Sequence, residues 1–508
     1  MVFLDSTVVT VALPRIGQDL PAMFLGILEG QSYIYNGYLL TLAALLILAG
    51  AANDHYGRKR MFQLGISGFA ATSVLCGLAP NMESLVLFRV LQGAAGALLV
   101  PSSLSLLTAC FEDEVRRGRA FGYWSGASAA TTILGPVIGG LLVDAVSWRA
   151  VFLINVPVAL AALYATRTIV ESRDTESAGR FDWTGSAITA LAVGGLAFGA
   201  IYGQQREWRD PLAFVALAAG VVALVALPFW MARARFPLVP LRLFASRNFT
   251  ITNLSTFLVY GALYVILYYL TLFMQGVLGY SAAAAGLAGL PATLLLVFFS
   301  SRSGALAGRF GPRIFMVAGP LVMAAGILTF TLIPATSAPW RFGQGGALPP
   351  LDYVTQILPG LLLFGIGITL LVAPLVTALM SSVPVRNSGL ASAINNAVSR
   401  IGPQLLGAVL FVAITASFYG GLEQRTGVDT AAPEVRQMLS PLNPPKLGPL
   451  DDPPPQLLAA SREASTDAFH LAMLVAAALL VAGALVNLGI RNAPARQRAV
   501  AEAGAPAD

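Results

Sequence analysis

Apolar residues run along this chain in blocks of about twenty, each closed by a short polar stretch carrying arginine, proline or glycine. Blocks of that length match an α-helix crossing roughly 30 Å of hydrocarbon at ~1.5 Å per residue. A transmembrane barrel would alternate with period two over segments of about ten residues, and no such alternation is present. The blocks predict spans near 1–14, 32–52, 61–79, 85–109, 120–143, 150–166, 184–202, 212–231, 249–274, 282–300, 314–334, 354–380, 389–417 and 467–489. The expected fold class is therefore an all-α polytopic membrane protein of fourteen spans. The first block, "MVFLDSTVVTVALP", covers only about 21 Å as a helix, so the first span is expected to be truncated, with its native start upstream of Met1.

Composition agrees with that pattern and excludes a soluble fold. Of 508 residues 56% are hydrophobic and only 11% charged, against about 25% charged in soluble domains. Cys76 and Cys110 fall within or at the end of apolar blocks and imply packing, not a disulfide framework. Two histidines, His55 and His470, and no Cys/His cluster argue against a metal site. No nucleophile–base pair or phosphate loop suggests an enzyme. Lys and Arg fix the expected orientation: with both termini cytoplasmic, 20 of the 31 lie in inner loops and the C-terminal tail. The two long outer segments, 335–353 and 418–466, are rich in Pro and Gly and predict irregular solvated loops.

An internal repeat links the two halves. "GAANDHYGRKR" at 50–60 and "GALAGRFGPR" at 304–313 both follow an apolar block and align Gly50 with Gly304, His55 with Arg309, and Gly57 with Gly311. Related halves around a central site are the architecture of many secondary transporters, in which one half rocks against the other. Gly50, Asp54, Gly57, Arg58 and Arg60, with Gly304, Arg309 and Gly311, are candidates for a conformational latch; the bland alternative is a basic loop obeying the positive-inside rule.

Three charges stand inside spans: Asp5, Arg89 and Arg400. Such a charge is costly in hydrocarbon unless it pairs or faces water, so each is a functional candidate. Arg89, Gln92, Gly93 and Gly96 share one helical face. A carboxyl balanced between desolvation and a nearby arginine can exchange a proton as water access changes, which makes Asp5 and Arg89 candidates for proton coupling; the alternative is a static buried pair. In the fifth span Gly122 and Gly126, then Gly135 and Gly139, repeat at GxxxG spacing around Pro136, with Gly140 following, which predicts close helix packing and a hinge. Tyr260, Tyr264 and Tyr268 form a stripe with Thr256, and Asn395 and Asn396 lie beside Ser392 and Ser399; together with Gln92, Asn155 and Arg400 these are the candidate cavity residues, with helix packing the equal alternative.

These stretches together resemble the major facilitator superfamily, and within it the 14-span drug:H+ antiporter group of EmrB- and QacA-like multidrug exporters. The resemblance rests on "LDSTVVTVALP", "GAANDHYGRKR", "FRVLQG", "LGPVIGG", "WRAVFLINVP" and "LFASRNFT". It implies two six-helix bundles (1–170 and 246–490) with two helices inserted between them (171–245), a long outer loop at 418–466 and a cytoplasmic tail at 491–508. It also implies export of hydrophobic, often cationic compounds across the cytoplasmic membrane in exchange for protons, with no cofactor beyond the proton gradient. Expected partners are the bilayer and the small-molecule substrates, with no nucleic acid and a monomeric state; a periplasmic adaptor is unspecified. Thr10, Tyr33 and His55 depart from the residues usual in the group, Asn, Trp and Arg. The thirteenth span lacks the acid of relatives that export dications. Alternatives are export of an endogenous lipid, siderophore or metabolite and, from a different class, a membrane pore or scaffold.

Overall fold

In the computed structural model of the chain, the described residues are 1–21, 23, 27–111, 113–171, 181–206, 208–341, 348–430, 432, 435, 439, 441–442 and 455–492. The tail expected at 491–508 and the middle of the loop expected at 418–466 lie largely outside them. The elements are α1 (Val2–Asp19), α2 (Ile27–Tyr56), α3 (Arg58–Gly77), α4 (Met82–Cys110), α5 (Glu114–Ala145), α6 (Ala150–Leu153), α7 (Asn155–Ala165), α8 (Trp183–Gln205), α9 (Pro211–Arg233), α10 (Arg242–Ala245), α11 (Arg247–Gly276), α12 (Ala282–Ala288), α13 (Leu290–Phe310), α14 (Pro312–Leu328), α15 (Leu358–Ser381), α16 (Ser388–Thr426) and α17 (Pro455–Asn487). Among the described residues there is no strand, and eleven helices are long and apolar enough to cross a membrane.

Polar caps punctuate these helices where sequence periodicity is silent. Asn81 accepts from the Ser84 amide at 2.9 Å and opens α4 with a capping box; Asp113 accepts from the Arg116 amide at 2.6 Å and opens α5. Such caps satisfy amides that have no partner within the helix. Gly57 (φ 109°) and Gly311 (φ 86°) begin α3 and α14 from a region that side chains with a Cβ avoid. The α2–α3 and α13–α14 turns thus share one backbone shape, so the sequence repeat is a structural one.

Helices α1 to α6 pack around an apolar cluster that includes Val8, Ile16, Met82, Trp148 and Phe152, and α7 packs against α3. Helices α11 to α17 close on a larger one containing Phe273, Met323, Phe330 and Phe469. A third cluster joins the two sets, placing Tyr38, Leu42, Phe69 and Leu104 against Val376, Leu379 and Ile394. Helices α8 and α9 pack on each other, and α8 packs against α2 and α16. The outer surface of α9 exposes Phe214, Val215, Val222, Val225 and Phe229, an apolar face too continuous for water and suited to lipid.

Several sequence expectations are corrected. The first helix passes through position 14 and continues to Asp19, about 27 Å at ~1.5 Å per residue, because Arg15 and Asp19 pair at 3.4 Å across one turn on its polar end. The segment 335–353 is not a loose loop where described: Trp340 is 7% exposed, its carbonyl accepts from the Ser281 amide at 3.0 Å, and its ring contacts Tyr280 and Tyr353. At 418–466 the loop is shorter than expected, since α16 continues to Thr426 and α17 begins at Pro455. Arg425 ties the two extensions by pairing with Glu463 (3.3 Å) and Asp467 (2.5 Å).

Candidate functional site

A buried polar network occupies the centre of the α1–α7 set. Asp5, 1% exposed, comes from α1 and Arg89, fully buried, from α4. Arg89 Nη1 donates to Asp5 Oδ2 at 2.6 Å and to Gln92 Oε1 at 2.6 Å, and its Nε donates to the Ile34 carbonyl at 3.1 Å. Asp5 Oδ1 accepts from Gln92 Nε2 at 3.1 Å and from Asn155 Nδ2 at 3.0 Å. Both carboxylate oxygens are therefore satisfied inside the protein, as a buried charge requires.

Local sequence explains the convergence. Arg89 and Gln92 sit one turn apart on α4 and project together. Gly93 lets α4 press on α2, since a Cβ there would come within 3.1 Å of Thr41 Cβ and meet the Tyr38 backbone. That approach sets the Tyr38 ring 4.1 Å from the Arg89 guanidinium, with Phe152 at 5.7 Å on another side. Asn155 begins α7 just after the break at Ile154, which swings its amide toward α1. Ser73 and Cys76 of α3 complete the cluster through Gln92, at 2.8 and 3.6 Å. Sequence reading paired Asp5 with Arg89 but set Gln92 and Asn155 among the cavity residues, whereas both amides bind Asp5; it missed Tyr38, Ser73 and Cys76, whose partners lie on other helices.

The second constellation joins the two helix sets at the end that carries the α2–α3 turn. Asp54 Oδ1 accepts from the Gly389 amide at 3.1 Å and Oδ2 from the Leu390 amide at 2.8 Å, so a carboxylate on α2 caps the first turn of α16. Both the open amides and the helix dipole favour an anion there. Arg58 pairs with Asp54 at 3.4 Å and donates through Nη2 to the Val385 carbonyl. Gly50 permits the approach, as a Cβ would meet Gly389 O at 2.6 Å. Arg60 does not join the cross-set contacts: it is exposed, and its partner is Glu171 at 4.0 Å. Glu171, missed in the sequence, accepts from the Lys59 and Arg60 amides at 3.0 Å each and caps α3.

The glycine-rich α5 divides its labour. Gly118 lies against Gly304, with a Cβ there only 2.5 Å from the Gly304 carbonyl; Gly122 lies against Ser300 and Ser301, and Gly126 against Val297, all on α13. Ser300 Oγ donates to the Gly122 carbonyl at 2.7 Å. Gly135 and Gly139 instead face Thr7 and Val8 of α1, within the same set, and Gly140 has open space around it. The Pro136 side chain lies outside the described residues. Arg309 is exposed at the end of α13.

The remaining cavity candidates separate. Asn395, 7% exposed, turns into the α11–α16 interface and donates to Thr256 Oγ1 at 2.7 Å and Asn253 Oδ1 at 3.3 Å; it is a helix tie, because a buried amide side chain takes the nearest acceptors. Asn396 donates to the Ser392 carbonyl of its own helix at 2.9 Å. Tyr260 packs against the α11–α17 core, whereas Tyr268 is 61% exposed; the Tyr264 side chain lies outside the described residues. Arg400 is half-buried on α16, and its Nε has no hydrogen-bond partner.

Two sets of membrane-length helices, a buried ion network in one and a close-packed seal between them define a multi-pass helical transporter. The chain belongs to the Major Facilitator Superfamily, which it matches over residues 1–408. It is 34% identical over 520 residues to the tetracenomycin C resistance and export protein of Streptomyces glaucescens, covering 100% of this chain and 92% of the relative. It is 32% identical over 428 residues to the multidrug resistance protein Stp of Mycobacterium tuberculosis, covering 84% and 76%. In fold it is similar to the human organic anion transporter MFSD10, with a TM-score of 0.55 and 14% identity over 94% of this chain and 96% of that one.

Proposed function

We propose that this protein exports hydrophobic or amphipathic drug-like compounds across the cytoplasmic membrane in exchange for protons. The observation that carries the reading is the Asp5–Arg89 pair, fully desolvated yet held by neutral partners that survive a change in protonation. Relatives named as antibiotic resistance and export proteins support the direction and kind of cargo. Counting α1, α3 and α5 as spans beside the eleven apolar helices gives our reading of fourteen, the number of the drug:H+ antiporter group. With the α2–α3 turn cytoplasmic, as its Arg58, Lys59 and Arg60 favour, the seal at that end makes this an outward-facing conformer, and rocking of the two sets alternates access.

Asp5 takes up a proton from the outer side, releasing Arg89, and gives it up when the cytoplasmic side opens. Purified protein in proteoliposomes under an imposed pH gradient tests this with ethidium and a panel of hydrophobic antibiotics. Wild type is expected to accumulate at least one of them, and Asp5→Asn to lose gradient-driven accumulation while still binding the compound. Gradient-driven accumulation by Asp5→Asn at the wild-type rate would remove Asp5 from the coupling mechanism.

A further inference from the structure

We propose that Arg400 recognises an acidic group on the cargo, a carboxylate or phenolate, so that amphipathic acids are the preferred charge class; the proposal deepens the export reading and rests on it. The position comes first. From Ser388 to Asn395 every residue of α16 is buried in the seal and the α11 interface, whereas Asn396 and the residues from Val398 to Ile401 are only half-buried. Arg400 stands a little over one turn beyond the point where unbroken burial ends.

The guanidinium is also unspent. Its Nε is buried without an acceptor, and among the described residues no carboxylate pairs with it. The polar groups around it are committed elsewhere. Asn395 donates to Thr256 and Asn253 on α11, Asn396 to the Ser392 carbonyl, and Ser399 to the Asn396 carbonyl. On α2, Tyr38 lies within electrostatic range of Arg400, but its hydroxyl donates to the Val2 carbonyl at 3.3 Å and its ring covers Arg89. Asp5 has both oxygens occupied, and Asp54 is held by Arg58 and two amides of α16.

A cation with a buried, unpaired nitrogen is costly, and the nearby carboxylates among the described residues are already satisfied. A guanidinium offers a planar fork of donors that fits a carboxylate in two parallel bonds. A cationic cargo at the same place would meet Arg400 with no acid free to offset it. The charge arrangement thus favours acids over the cations that the family resemblance suggests.

The test separates this proposal from the export reading. Wild type, Arg400→Gln and Arg400→Lys are compared for equilibrium binding in detergent and for gradient-driven transport in proteoliposomes, using pyrenebutyrate as acid, pyrenebutyramide as neutral twin and ethidium as cation. Because Arg400 has no ion-pair partner among the described residues, Arg400→Gln is expected to melt no lower than wild type, and a retained melt confirms that the variant is folded. Wild type is expected to bind pyrenebutyrate about ten-fold or more tightly than pyrenebutyramide, a gap of the size a charge-assisted hydrogen bond supplies. Arg400→Gln should abolish that gap through KM with kcat unchanged, and Arg400→Lys should restore part of it. Equal loss for acid and amide, or an acid affinity unchanged in Arg400→Gln, overturns the proposal and leaves export standing. An acid preference that depends on Arg400 without any gradient-driven movement of the three probes supports the anion site and overturns export.

Discussion

The Asp5–Arg89 pair illustrates why a buried charge is a commitment shared among residues. Removing either partner strands the other in a site with no water, which costs about 3–5 kcal/mol. Arg89→Gln is therefore expected to lower thermal stability by roughly that amount, since Asp5 would keep only Gln92 and Asn155 as donors. The double variant Asp5→Asn/Arg89→Gln leaves no stranded charge and is expected to be destabilised by clearly less than the two single changes summed, a coupling that a double-mutant cycle measures by melting in detergent. Additive losses would mean that the pair is not energetically closed. Much of this site was legible in the chain, because an acid and an arginine in apolar blocks stand out and Arg89 and Gln92 fall on one helical face. Tyr38, Ser73 and Cys76 were not, because an ordinary residue in an apolar block gives no sign of which helix will face it. Asn395 and Arg400 show the same limit: they are five positions apart on α16, yet one is tied into α11 and the other leaves its Nε without a partner.

At the level of elements, the two repeated turns carry unequal loads on one backbone shape. Gly57 and Gly311 both sit at positive φ, where a Cβ costs about 1–2 kcal/mol. At Gly57 an added Cβ would also come within 2.8 Å of the Glu171 carboxylate that caps α3. Gly57→Ala is accordingly expected to lower the melting temperature more than Gly311→Ala, and to release the Glu171 cap, which faster amide hydrogen exchange at Lys59 and Arg60 would report. Equal effects would place the whole penalty in the backbone. The sequence repeat revealed the two glycines, but the cap by Glu171 is separated from α3 by more than a hundred positions and leaves no local pattern. The same asymmetry appears in the cross-set contact: position 54 carries an aspartate that caps α16, and its counterpart 308 is glycine. Asp54→Asn keeps a capping side chain and loses the charge, worth about 1 kcal/mol at a helix N-terminus, a roughly five-fold shift toward the unsealed state.

For the whole molecule, the contacts divide into those that rocking must break and those it must keep. The seal is built between sets: Gly50 against Gly389, Gly118 against Gly304, Gly122 against Ser300 and Ser301, and the Asp54 cap. The Asp5 network is built within one set. If the sets move as rigid bodies, the seal opens while the helices around the network stay packed on one another and pass no more than protons to Asp5, and two thiols can follow both events in one protein. In a Cys110→Ser background, which removes the exposed native thiol, Ser300→Cys reports the seal from its place against Gly122, and buried Cys76 reports the network. In the absence of cargo both are expected to resist N-ethylmaleimide. Under turnover, with transported compound and a pH gradient present, position 300 should label at least several-fold faster while Cys76 remains protected; adding Asp54→Asn should speed labelling at 300 even without cargo. Labelling of Cys76 at the same rate as position 300 would mean that the first helix set comes apart during transport, and protection of both would mean that the seal is a fixed part of the fold. Either outcome would replace rocking of the two sets with a different route for the cargo, because the glycines that let the sets meet so closely would then serve packing alone.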